Sequence, residues 1–249
     1  MKLNVISQNV MCWQAEHNSY EERRVLLQKV FNNHGADLIG IQEATPTWKK
    51  YFDEDLRDFD GILKYRGEES REAVPIYWRR DRFEKIDGGW FWLSETPDME
   101  SRGWGAACLR ITTWACLEEK ETGGRFAFVN THLDHVSEEA RVNGIKLIVS
   151  FIAERFGADM PLILTGDFNT EPGSTTISIT KELLSDTRDI ADSANLGYTF
   201  NDIRNGEKMT IDYVFVSEQF KCSRMDIIDE TVGKTRQSDH YAVIAELEL

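Results

Sequence analysis

Four short polar motifs, each at the edge of an apolar run, constrain the fold of this chain more than any other feature: Gln42-Glu43, Asn130-Thr131-His132-Leu133-Asp134, Gly166-Asp167-Phe168-Asn169 and Ser238-Asp239-His240. The run before the second, Phe126-Ala127-Phe128-Val129, is apolar on both faces, as a strand buried within a protein must be. In layered α/β folds, ligand-binding groups collect at the carboxyl ends of such strands. Residues two apart on a strand share a face. Asp167 with Asn169, and Asn130 with His132 and Asp134, therefore read as rows of side chains pointing one way. Each motif alone reads equally well as a solvated turn, where Asn and Asp are favoured. Their ordered conjunction across nearly the whole chain is what marks a site.

Around these motifs the pattern alternates between strand and helix. Glu21–Asn33 places Val25, Leu26, Val30 and Phe31 on a helical stripe that Gly35 ends, and Glu138–Phe156 does the same with Ala140, Ile145, Leu147, Ile148, Phe151 and Ile152. Strands are expected at the N-terminus, over Asp37–Gln42, Val74–Trp78, Gly89–Leu93, Ala106–Leu117, Phe126–Thr131, Leu162–Thr165, Ile211–Val216 and Tyr241–Leu249. Runs of consecutive strands require antiparallel pairing, and two sheets packed face to face with helices on the outer faces use every element. The charged stretch Asp53–Glu72 is read as a surface loop near the site. No linker or repeat divides the 249 residues, so one domain is expected.

Composition narrows the function. A formal net charge of -14 works against passive binding to nucleic acid, which depends on basic residues displacing counterions. A polyanionic substrate then needs a bound cation and local basic patches, for which Arg79, Arg80 and Arg82, and further off Arg23, Arg24, Lys49 and Lys50, are candidates. Cys12, Cys108, Cys116 and Cys222 are scattered and lack a Cys-x-x-Cys pair, which favours reduced, buried thiols. No secretory leader or membrane-spanning run is visible, and the expected location is cytoplasmic.

In order, the motifs resemble the endonuclease/exonuclease/phosphatase superfamily with the DNase I-like fold, from Asn9 to His240. The quoted residues are Asn9 in the first strand, Glu43 ending the second, His132 in Asn-x-His, Asp167 with Asn169, Asp212 in Ile211-Asp212-Tyr213, and Asp239 with His240. The resemblance implies a four-layer α/β sandwich of two mixed, mainly antiparallel sheets. It also implies that Glu43, Asp239 and Asn9 hold Mg²⁺, with Mn²⁺ as a substitute, because hard oxygen ligands suit such ions. Asp167 would orient or deprotonate the attacking water and Asn169 would bind the phosphate. His240 would contact a phosphate oxygen with Asp212 fixing its tautomer, and His132, paired with Glu72, would stabilise developing charge or assist the leaving group. Asn130, Arg102 and Arg110 are phosphate-contact candidates.

A rival reading takes Asn130-Thr131-His132-Leu133-Asp134-His135 as a zinc motif of the His-x-His-x-Asp-His type. Five histidines in all leave that nitrogen-rich shell incomplete. The Asn-x-His strand is closest to the poly(A)-nuclease and DNase I branches, and a bacterial member is expected. The substrate is then a phosphodiester, single-stranded nucleic acid among the candidates, with 3′-to-5′ exoribonuclease the first specific expectation. Hydrolysis of a lipid or nucleotide phosphoester and a non-catalytic scaffold are the alternatives; no protein partner is implied. Trp90, Phe91, Trp92 and Trp104 are candidate base-stacking platforms, set against the alternative that they fill the core.

Overall fold

A computed structural model describes residues 1–157 and 159–249. Its longer strands are β1 Lys2–Asn9, β2 Leu38–Gln42, β3 Phe59–Ile62, β4 Ile76–Arg79, β5 Phe83–Trp92, β6 Ile111–Glu119, β7 Arg125–His132, β8 Leu162–Asp167, β9 Asp212–Val216, β10 Lys221–Ile228 and β11 Ala242–Glu248. The helices used below are α1 Tyr20–Asn33, α2 Pro46–Asp55, α3 Glu138–Phe156 and α4 Thr175–Lys181. One sheet runs β10-β11-β1-β2-β4-β3 and the other β5-β6-β7-β8-β9, with Ser193–Ala194 and Ser185–Asp186 as short outer strands. Pairing is antiparallel except for β1 with β2, β7 with β8 and the short Ser193–Ala194 strand.

Alternation along the strands builds four layers. On β1, Leu3 and Val5 face the second sheet, where they meet Phe126, Phe128, Ile163 and Val214, while Ile6 faces Leu27, Val30 and Trp48 of α1 and α2. On the far side, Ile145, Ile148 and Ile152 of α3 and Ile177 of α4 cover Val129, Leu164 and Phe215. Each such side chain contributes roughly 1.5–3 kcal/mol when fully buried, which offsets the cost of the polar groups held between the sheets. The helices start on side-chain caps: Ser19 forms a capping box with Glu22, Thr45 precedes Pro46, and Ser137 caps α3. This is the four-layer sandwich of two mixed, mainly antiparallel sheets that the motifs lead one to expect. No helix among the described residues is long and apolar enough to cross a membrane.

Three local expectations change. Within Asp53–Glu72, Asp53–Asp55 finishes α2 and Phe59–Ile62 forms an edge strand on β4; its interleaved Asp58 and Asp60 disguise it, as charges on edge strands do. Ala106–Arg110 is loop, and the strand begins only at Ile111. β10 has no counterpart in the sequence reading, because a bulge between Cys222 and Arg224 breaks the period of two.

At one end a side chain bridges the two sheets. Asn130 of β7 is fully buried and reaches across the gap: its Nδ2 donates to the carbonyls of Ile41 (2.7 Å) and Pro75 (3.0 Å), and its Oδ1 accepts from Gln42 Nε2 (2.7 Å) and Thr165 Oγ1 (3.0 Å). Gly40 is the residue that permits this approach. A Cβ there would lie 2.1 Å from Thr165 Oγ1 and 2.8 Å from Asn130 Oδ1. Gly166 is required for a related reason, since its Cβ would meet the Thr131 carbonyl at 2.6 Å.

Asp134 makes a second fixed point. Oδ1 accepts from the N–H groups of Val136 (3.0 Å) and Ser137 (2.9 Å), Oδ2 from those of Ala107 (3.0 Å) and Cys108 (3.2 Å), so one carboxylate ties the Ala106–Arg110 loop to the start of α3. Burial opposes its ionisation, but the four N–H groups win and draw its pKa down to about 2.

Gly40→Ala is expected to destabilise the fold by about 1–3 kcal/mol through overpacking, read by urea unfolding; wild-type stability would contradict the close approach. Asp134 has a folded pKa below its unfolded value, so its contribution is complete above the ordinary carboxylate range and lost as pH falls toward 2. Asp134→Asn should therefore be less stable than wild type near neutral pH, and the gap should narrow on acidification; a pH-independent gap would contradict this.

Candidate active site

Strand register assembles the site. Asp167 ends β8; its parallel partner on β7 is His132 and its antiparallel partner on β9 is Asp212, so the three stand in one row across adjacent strands. In the other sheet, Asn9 ends β1 opposite Gln42, and Glu43 follows Gln42. The Asn130 contacts bring these two rims together. Asn9 then spans them, donating from Nδ2 to Asp167 Oδ2 (3.0 Å) and Glu43 Oε1 (3.1 Å).

Holding Glu43 there requires strain. Its φ is 61° and that of Met11 is 57°, a left-handed conformation costing about 1–3 kcal/mol for such residues. The backbone N–H of Cys12 donates to Glu43 Oε2 (2.7 Å) and that of Met11 to Asn9 Oδ1 (3.0 Å). Arg23 of α1 secures this loop from below: fully buried, it donates to the carbonyls of Met11 (2.9 Å) and Trp13 (2.7 Å) between the rings of Tyr20 and Trp48. Arg23 is thus an internal brace, not a surface cation.

The two site histidines are in opposite charge states. His240 Nδ1 lies 2.9 Å from Asp212 Oδ2, and Nε2 is 3.8 Å from Asp167 Oδ2. Burial would discharge this ring, but Asp212, then Asp167 and Asp239, hold it protonated well above the usual histidine range. His132 Nε2 is 3.4 Å from Asp167 Oδ2, yet burial, then Arg110 and Arg66, keep it neutral. Burial, and next the Asp212 carboxylate, push Asp167 upward, so it is a far better proton acceptor than an exposed aspartate. Glu43 is drawn down despite its burial by His240 and by the donors from Cys12 and Asn9, whereas burial raises Asp239.

These donors fit a hard divalent cation. Donor atoms of Glu43, His132 and Asp167 lie within 4.8 Å of one another; a second close set, Asp167, Asp212 and His240, is closed to a cation by the proton on His240. Glu43, Asp167 and Asp239 all line one cleft of about 370 Å³, and carboxylates concentrated in this way call for a positive charge among them. Asn9 departs from the expected ligand role. Its amide oxygen is taken by the Met11 N–H and it turns its NH₂ to the carboxylates. Asp239 lines the cleft outside both close-packed sets. Asn169, at φ 50°, donates from its backbone N–H to Asp167 Oδ1 (2.9 Å) and from its side chain to the Leu133 carbonyl (3.0 Å).

Other expected residues are placed differently. Asn130 binds protein groups with both ends of its amide and cannot meet a phosphate. Arg102 is exposed, donates to the Ala107 carbonyl (3.3 Å) and does not line the cleft. Glu72 pairs with Arg66 (2.6 Å), not with His132. Arg79, Arg80 and Arg82 are engaged by Asp81, Asp60, Asp37 and Glu119, Arg24 by Glu54 and Asp55, and Lys49 by Asp53. Phe91 and Trp92 are core, Trp104 packs against it, and Trp90 is 44% exposed over Lys64. Cys116 and Cys222 are buried free thiols as expected, but Cys12 and Cys108 are half-buried and line the cleft.

Arg110 does reach the site, and it has a companion the sequence reading misses. Arg110 and Arg66, only 5% and 9% exposed, line the cleft and its narrow inner end with Glu43, Glu72 and His132. Arg110 gives Nη2 to His135 Nδ1 (3.1 Å) and leaves Nε and Nη1 without a hydrogen-bond partner. Nothing in Tyr65-Arg66-Gly67, inside a charged stretch, distinguishes Arg66 from a surface cation. Trp13, Phe200, Arg204 and Met209 line the cleft as well and are likewise absent from the sequence motifs.

Several known proteins are similar to this chain. Protein L388 of Acanthamoeba polyphaga mimivirus, uncharacterised, is 28% identical over 248 residues, 90% of this chain and 91% of that one. The Ccr4 subunit of the CCR4-Not complex of Aspergillus niger, a 3′-5′-exoribonuclease, is 24% identical over 234 residues, 70% of this chain but only 35% of that subunit. Among solved structures, mannosyl-6-phosphatase Bt3783 of Bacteroides thetaiotaomicron superposes with a TM-score of 0.91 at 32% identity, covering 99% of this chain and 100% of that one. Residues 11–240 match the Endonuclease/Exonuclease/phosphatase family. With that match over most of its length and the same fold, the chain belongs to that family of phosphoester hydrolases.

Proposed function

We propose that the protein is a divalent-cation-dependent phosphoesterase, with Mg²⁺ the ion first to test, that releases phosphate from a small phosphomonoester. The observation that carries this is the inner end of the cleft, where the buried guanidiniums of Arg66 and Arg110 stand beside His132 and Glu43. Arg110 Nη1 has no acceptor there, and its Nε has only Asp134 Oδ2 at 3.6 Å. Leaving buried donors unpaired costs about 1–3 kcal/mol each, and phosphate oxygens are the natural partners of a guanidinium. A terminal phosphate carries more charge than a diester and makes fuller use of the Arg110 guanidinium, while Arg66 beside it is already paired with Glu72 (2.6 Å). The charge of -14 and the engagement of the outlying arginines by carboxylates argue against a long polyanion. Similarity to a mannosyl-6-phosphatase supports the same class.

The residues divide the chemistry. Asp167, oriented by Asn9 and the Asn169 N–H, takes the proton of the attacking water as the ester P–O bond breaks, and the departing alkoxide takes a proton from solvent. His240, its Nδ1 fixed by Asp212, presents a charged Nε2–H to a phosphoryl oxygen. His132 is a neutral neighbour of Asp167, suited to hydrogen bonding and not to carrying positive charge. A divalent cation held by Glu43 and Asp239 would supply Lewis-acid polarisation and charge neutralisation.

The partial similarity to Ccr4 subunits favours a second reading, a 3′-to-5′ exoribonuclease. The two separate in one assay: purified protein with Mg²⁺ or Mn²⁺, against a chelator control, on mannose 6-phosphate, p-nitrophenyl phosphate and end-labelled single-stranded RNA. Metal-dependent release of inorganic phosphate from the monoesters is expected. In Asp167→Asn or His240→Ala, kcat should fall by a factor on the order of 10² or more. An RNA ladder shortening from its 3′ end without monoester turnover would select the second reading. Unchanged kcat in a folded Asp167→Asn protein would overturn the site.

A further inference from the structure

The apolar wall of the cleft comes from two loops outside every motif described above. Trp13 lies between β1 and α1, while Phe200 and Met209 are register partners in a short hairpin of Phe200–Asn201 and Lys208–Met209. All three line the cleft. Arg236 links the loops, donating from its backbone N–H to Asn18 Oδ1 (2.9 Å) and from Nη1 to the Asn201 carbonyl (3.2 Å). The indole is itself braced. The Arg204 guanidinium lies 5.7 Å from the ring centroid, and buried Asp202 fixes its plane by accepting from Nε (3.0 Å) and Nη2 (2.8 Å). Beneath, Arg23 holds the Trp13 carbonyl.

The Phe200 ring packs on His240 with centroids 4.8 Å apart, whereas the indole and the thioether have no part in phosphoryl transfer. What they offer is a flat apolar face beside a polar reaction centre, the arrangement that fixes orientation in small-ligand sites. A cyclic organic group, whether a sugar ring or a base, has a matching face; an acyclic ester has none.

We infer that Trp13, braced by Arg204 and completed by Phe200 and Met209, forms a ring-binding subsite that selects phosphate esters bearing a cyclic group. The inference rests on the phosphoesterase reading for its phosphate, but its test does not require turnover. Calorimetric binding, with Mn²⁺ present, is measured for mannose 6-phosphate, adenosine 5′-monophosphate and glycerol 3-phosphate, on Asp167→Asn protein and on the same protein carrying Trp13→Ala or Trp13→Phe. At least one cyclic ester is expected to bind about tenfold tighter than glycerol 3-phosphate, the scale of a single stacking contact, and the tighter of the two identifies the ring. Trp13→Ala should abolish that preference and Trp13→Phe should keep most of it. Equal binding of all three esters, or a preference that survives Trp13→Ala, overturns the subsite. Preferential binding without phosphate release by the unsubstituted protein would keep the subsite and defeat the proposed reaction.

Discussion

Everything in the site depends on the distance between the two sheets at one end, and that distance is set by the Asn130 amide. Four hydrogen bonds to Ile41, Pro75, Gln42 and Thr165 satisfy both ends of this buried group, and Gly40 leaves the room they need. A buried polar group is tolerated only when its hydrogen bonds are made, so the register of β7 against β2 and β8 is locked wherever Asn130 is satisfied. One residue of slip would turn every side chain of β7 to the other face. Two residues further along the same row, His132 and Asp167 emerge at the rim, where Asn9 and Glu43 of the other sheet meet them.

From that fixed separation follow the charge states. The same desolvation that threatens every ionised group here is resolved differently by neighbours: Asp212 keeps His240 charged, Arg110 and Arg66 help keep His132 neutral, and Asp212 raises Asp167. Two imidazoles beside a single carboxylate thereby acquire different capacities. The net charge of the chain plays no part at this range, since local partners decide pKa values. Backbone strain at Glu43 and Met11 belongs to the same economy of packing, held in place by the Arg23 brace and by hydrogen bonds from Met11 and Cys12.

Much of this was legible in the sequence, and the failures are instructive. The layers, helices α1 and α3 and the strand-end motifs follow from periodicity and from the order of polar groups. Parity, however, cannot tell Asn130 from His132. Both lie on one face of β7, and only depth along the strand makes one a clamp and the other a site residue. Glu72 was expected beside His132, but loop conformation decides whom a loop residue meets, and Arg66, six residues before it, takes the carboxylate. Trp13 ends the short run Val10-Met11-Cys12 in a loop with no periodic pattern, while the more conspicuous Phe91 and Trp92 belong to the core.

The most direct test of this dependence is calorimetric titration of Mn²⁺ into wild type and into Asn130→Ala, the variant being used only where its circular dichroism is native. Asn130 holds the Ile41 carbonyl and the Gln42 amide, so its loss should displace the adjoining Glu43 and weaken Mn²⁺ binding about tenfold or more, the scale seen when groups that support metal ligands are removed. Equal affinity in a folded Asn130→Ala protein, or no binding by wild type, would contradict the claim that the inter-sheet clamp builds a cation site.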